Sequence, residues 1–148
     1  MPTLVARQLA FSRVLIALVF FAAGMSKLLD YSTTVALLGA AGVPIPGALL
    51  PASIAIELGG SVALALGFRP RLTAMMLAAY LVPVTLLFHA FWNSTGPARQ
   101  DQLVHFLKNA SIIGGLLTLS FQQKVLSAFM GGTLIELRRE SFDRRRAG

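Results

Sequence analysis

Lys27, Glu57, His89, His105 and Lys108 are the side chains of this sequence that most need a chemical reason. Each lies in, or at the edge of, an apolar stretch close to the ~20 residues a helix needs to cross a bilayer core. A charge in hydrocarbon costs at least ~2.5 kcal/mol, so ionisable groups placed there are candidates for binding, proton movement or ion pairing. Carboxylate, amine and imidazole together offer acceptors, donors and groups that change protonation state. Glu57, His89 and Lys108 are the catalytic candidates. Lys27, Trp92, His105 and Asn109 join them as ligand-binding candidates, with Phe88, Phe91 and Trp92 able to wall an aromatic ring.

Depth links these residues. At ~1.5 Å per residue, Glu57 is expected roughly 9 Å below the outer start of the second span, Lys108 about 8 Å below the start of the fourth and His89 about 5 Å from the end of the third. Lys27 falls within one turn of the end of the first span. Facing links them too, because residues three, four or seven apart share a helix face. Ser53, Glu57, Gly60 and Ser61 form one stripe. Thr85, His89 and Trp92 form another, and Gln102, His105, Lys108, Asn109 and Gly115 a third. Arg13, Ala17, Phe20, Gly24, Lys27 and Tyr31 form the stripe of the first span, and all four stripes are expected to point inward.

Plainer roles exist for most of these residues. Lys27 alone would snorkel to an interface, and His89 beside Trp92 resembles an interfacial pairing. Arg13 reads as a topology anchor, and the paired glycines as packing residues. Glu57 is too deep for such a role and needs a partner or a proton. Lys27 and Lys108 are both available to it. A haem or metal site is not expected, because two histidines near span ends and one glutamate make a sparse ligand set.

The elements that must position these groups follow from composition. Of 148 residues, 55% are hydrophobic and 13% charged, with mean hydropathy +0.71. That charge content cannot clothe a water-soluble domain of this size, so lipid is the expected solvent. Lipid demands internally satisfied backbone, and uniformly apolar runs of this length meet it as helices. The expected fold is all-α: an integral membrane four-helix bundle with spans at about 11–29, 49–67, 72–91 and 103–121. Pro51 is expected at the start of the second span and Pro83 to kink the third. Between the first two spans, a neutral segment containing a short helix over Val35–Ala41 should lie at the outer interface as a lid. Residues 1–121 then form the bundle, and 122–148 an interfacial segment followed by a disordered basic tail.

Ten of the thirteen Lys and Arg fall on the side that four spans assign to both termini. The positive-inside rule makes that side, and with it both termini, cytoplasmic. Basic residues flanking spans suit anionic headgroups, so no nucleic-acid partner is expected. The absence of cysteine excludes thiol and iron–sulfur chemistry carried by this chain alone.

Several elements appear in a telling order. Arg13 precedes Gly24-Met25-Ser26-Lys27-Leu28, and Gly42-Val43-Pro44-Ile45-Pro46 comes before the second span. Glu57-Leu58-Gly59-Gly60, Leu66-Gly67, Arg69 and Arg71 follow. Phe88-His89-Ala90-Phe91-Trp92, His105-Phe106-Leu107-Lys108-Asn109 and Gly114-Gly115 complete the set. Across about residues 11–120 this pattern resembles the DoxX family of small four-helix bacterial membrane proteins. The resemblance implies a four-helix bundle. It also implies a link to quinone chemistry, since some members are similar to a subunit of a thiosulfate:quinone oxidoreductase.

Two functions are therefore expected to compete. One is the membrane subunit of a quinone-linked oxidoreductase, with quinone as cofactor and a soluble or membrane partner supplying electrons. The other is a non-catalytic anchor, assembly factor or small-ligand-binding subunit of a larger complex, with an oligomer also open to it. A channel or pump is disfavoured, because Arg13 is the sole ionisable residue on the cytoplasmic side of Glu57 within the spans.

Overall fold

A computed structural model describes residues 2–146, with side chains from residue 4 to residue 122. The elements in chain order are α1 (Pro2–Leu29), α2 (Tyr31–Ala40), α3 (Pro46–Leu66), α4 (Pro70–Phe88), a 3-10 turn (Phe91–Asn93) and α5 (Gly96–Arg146). Four segments are long and apolar enough to cross a membrane: Leu4–Leu29, Pro46–Leu66, Pro70–Asn93 and Gly96–Gln122. No strand occurs among the described residues. The expected four-helix membrane bundle is the observed architecture.

The spanning helices form a ring in chain order. α1 packs most extensively on α3 and α4 on α5, while α3–α4 and α1–α5 contacts close the circle. Small residues set the close approaches, as lipid-embedded interfaces require. A Cβ on Gly24 would come within 2.9 Å of Leu58 on α3, and one on Gly60 within 2.7 Å of Leu77 on α4. A Cβ on Gly115 would meet Ile16 of α1 at 3.1 Å. Phe20, Leu64, Leu77, Leu81 and Leu116 fill the centre. Leu15, Leu18, Val62, Leu72, Met75, Leu86 and Leu117 stand exposed on the outside. An apolar exterior around a small, tightly packed interior fits a solvent of acyl chains.

Helix ends differ from the sequence expectation at several points, and α1 and α5 already begin at Pro2 and Gly96, ahead of the expected 11 and 103. α3 begins at Pro46, so Pro51 lies inside it and not at its start. Pro51 has no N–H for the Gly47 carbonyl four residues back. The Tyr31 hydroxyl donates to that carbonyl at 3.3 Å, which supplies a replacement partner. α2 begins at Tyr31, four residues earlier than expected, with Thr34 Oγ1 bonding back to the Asp30 carbonyl at 2.9 Å. α5 is one helix through Arg146, where a break after residue 121 and a disordered tail were expected. A glycine pair weakens a helix but does not forbid it, and Gly131-Gly132 is carried within α5. Residues 147 and 148 of the expected tail lie outside the described residues.

The α3–α4 turn marks the end of the bundle opposite α2. Gly67 closes α3 with φ +72°, a left-handed conformation that glycine adopts without strain. The Arg13 guanidinium lies 3.0 Å from where a Gly67 Cβ would stand. A cation there faces the negative end of the α3 dipole.

Candidate functional site

Glu57 sits near the middle of α3, eleven residues from its start, and is only 3% exposed. This is deeper than the sequence reading placed it, because α3 starts earlier. Lys27 reaches it from the last turn of α1 and forms an ion pair with Glu57 Oε1. Gly24, one turn before Lys27, permits the contact, since its missing Cβ would stand 3.1 Å from Glu57 Cβ. Tyr80 of α4 donates to the same Oε1 at 2.7 Å, and its hydroxyl also pairs with Ser53 Oγ at 2.6 Å. Three helices thus converge on one carboxylate oxygen. Glu57 Oε2 is buried with no hydrogen-bond partner among the described residues. Lys27 remains about one-quarter exposed along its side chain.

The cluster forms part of the wall of a cavity of about 620 Å³. All four spanning helices contribute to that wall, and Thr34, Leu37 and Leu38 of α2 roof it. Most of the lining is apolar, with Ser53, His89 and Asn109 as further polar groups. Asn109 Nδ2 donates to Thr85 Oγ1 at 3.0 Å, which ties α5 to α4 beside the cavity.

His89 follows the last residue of α4 and pairs through Nδ1 with Gln102 Oε1 at 2.9 Å. The His105 ring stacks on His89 with centroids 5.0 Å apart and planes 14° from parallel. His105 is more open to solvent, with Nε2 3.8 Å from Asp101 Oδ1.

The sequence candidates divide accordingly. Lys27, Glu57, His89 and Asn109 line the cavity, whereas Trp92, His105 and Lys108 do not. Trp92 is half exposed and meets Phe91 and Phe106 edge to face. Lys108 is exposed on α5. Asn109, one residue on and ~100° around the helix, faces α4 instead. The expectation that Lys108 points inward is therefore corrected, and the partner of Glu57 is Lys27. Tyr80 escaped the sequence reading. Its signal was a hydroxyl in mid-span, which needs a partner when withdrawn from water.

This arrangement sets a small group of donors and acceptors on the wall of a largely apolar cavity. Bundle and site together define a multi-pass helical membrane protein with a buried acid–amine–phenol cluster beside an internal cavity. The chain belongs to the DoxX family, whose pattern matches residues 8–90. It is similar to two inner membrane proteins of Escherichia coli (strain K12). Identity with YphA is 28% over 112 residues, covering 76% of this chain and 80% of that protein. Identity with YqjF is 35% over 109 residues, covering 74% and 78%. No solved structure matches. The protein is thus a multi-pass inner-membrane member of this family.

Proposed function

We propose that this chain is the membrane subunit of a quinone-linked oxidoreductase and that the cavity beneath α2 receives the quinone ring. The observation that carries this reading is the cavity itself. Its volume of about 620 Å³ falls within the ~300–1,000 Å³ common for small-molecule sites. The lining is apolar except for a few convergent polar groups, which suits a ring with polar oxygens. The unpartnered Glu57 Oε2 supports the same reading, because a buried acceptor without a donor costs about 1–3 kcal/mol until something satisfies it.

A quinone taken up there supplies two-electron, two-proton redox chemistry, its electrons coming from a redox cofactor on a partner subunit. Lys27 Nζ has two further N–H donors beyond the one directed at Glu57, and it orients a ring carbonyl. Glu57 and His89 hold and release protons at the cavity wall, and Tyr80 keeps the carboxylate in place. Orientation follows the charge asymmetry: both termini are cytoplasmic and α2 faces the opposite side.

The test is extraction of the gently purified protein with organic solvent, followed by chromatography for quinone. Lipid-soluble quinone is expected in the wild type and strongly reduced in Glu57→Gln. Wild-type protein that neither retains quinone nor binds it when added would remove the proposal.

A further inference from the structure

The α3–α4 seam is closed along half its length and parted along the other half. At one end Leu77 packs directly onto Gly60. Next, Ser53 and Tyr80 bridge the two helices by their hydroxyls. Beyond that bridge, toward α2, the cavity wall includes Leu49 and Ala52 from α3 and Pro83 and Leu87 from α4. All four are exposed, and Ala52 and Pro83 each stand ~160° around their helices from the buried Ile54 and Leu81, which turns them toward the outside. A residue that lines a cavity and also faces outward marks the cavity's rim. Val19 on α1 and Leu37 on α2 are further exposed lining residues, but no other seam supplies four. Pro83 contributes directly. It cannot donate to the Ala79 carbonyl, and its ring crowds that turn, so α4 need not follow α3 beyond this point.

We propose that this parting of α3 and α4, bounded by Leu49, Ala52, Pro83 and Leu87, is a lateral portal between the acyl-chain region and the cavity. Its occupant is the hydrocarbon tail of a ligand whose polar ring lies against Lys27 and Glu57. The inference rests on the reading that the cavity receives a quinone. The rim is wholly apolar, so it imposes no desolvation cost on a tail and excludes a charged solute. The groups that recognise polar atoms lie further in, at Tyr80 and Glu57, so the ligand is amphiphilic with its polar end leading.

The test uses the full chain in lipid nanodiscs with two probes, a decyl-substituted benzoquinone and the same ring without the decyl chain. Ala52→Phe, and independently Leu87→Trp, narrow the rim without touching the polar cluster. Each is expected to weaken binding of the tailed probe about tenfold or more while changing the tailless one by about twofold or less. Unchanged binding of the tailed probe, or equal losses for both, would overturn the portal. If the wild type binds neither ring, the quinone reading falls, and the portal is judged by a second measurement. Leu81→Trp in a Trp92→Phe background places the single indole in the cavity wall. Acyl-brominated phosphatidylcholine should quench it, and Ala52→Phe should relieve the quenching. Absence of either effect overturns the portal on its own.

Discussion

Lys27, in the last turn of α1, pairs with Glu57 at the middle of α3, thirty positions further along the chain. Within a bilayer this contact governs both partners, because either charge left alone has no water to fall back on. Lys27→Met should destabilise the protein by about 2–4 kcal/mol, discounted for the partial exposure of the lysine. The double variant Lys27→Met/Glu57→Gln should recover most of that loss, since it removes both charges together. Thermal unfolding in mild detergent, run as a double-mutant cycle, checks both values.

Tyr80→Phe should cost about 1–2 kcal/mol, because it removes a donor to Glu57 and the partner of Ser53 in one step. Ser53→Ala should cost less, since Tyr80 keeps its bond to the carboxylate. The same unfolding assay ranks the two.

Two glycines on neighbouring helices should behave oppositely. Gly24→Val forces a branched side chain into Leu58 and Glu57, and is expected to separate α1 from α3 and break the ion pair at a cost of about 3 kcal/mol. Gly59→Ala meets nothing within 4 Å and should be neutral or slightly stabilising. Expression level and detergent unfolding temperature separate them.

Lys108→Gln should leave stability within about 0.5 kcal/mol of wild type, as for an exposed side chain away from any network. Binding of the tailless benzoquinone should also be unchanged, whereas Lys27→Gln should abolish it. Equilibrium binding in nanodiscs distinguishes these outcomes.

The chain has no cysteine, so single-cysteine variants report topology on a clean background. Thr95→Cys, before α5, should react with a membrane-impermeant maleimide in intact spheroplasts. Phe68→Cys, in the α3–α4 turn, should react only after permeabilisation. The reverse pattern would invert the orientation.

Much of this architecture was legible because lipid leaves the chain few options. Runs of apolar residues near 20 long had to be helices, and Glu57 had to find a partner. The choice between Lys27 and Lys108 was not legible. Both lie at a suitable depth, and only the close approach allowed by Gly24 together with the outward facing of Lys108 decides it. Tyr80 was hidden because the stripe drawn through Thr85 and His89 passes it by, although it sits on the α3 side of α4. Pro51 misled the boundary of α3: proline favours a first turn, but Tyr31 tolerates it further in by occupying the carbonyl it frees. The cavity was invisible as well, because empty volume arises from how four helices splay and no residue type encodes it.

That small tyrosine contact also determines how the roof can move. Tyr31 fastens the near end of α2 to the top of α3, and the Gly42–Pro46 connection joins its far end to the same helix. A flap tied at both ends cannot swing wide. Traffic from the aqueous side would have to undo one of those ties, whereas the route proposed between α3 and α4, through the oily interior of the membrane, leaves both intact.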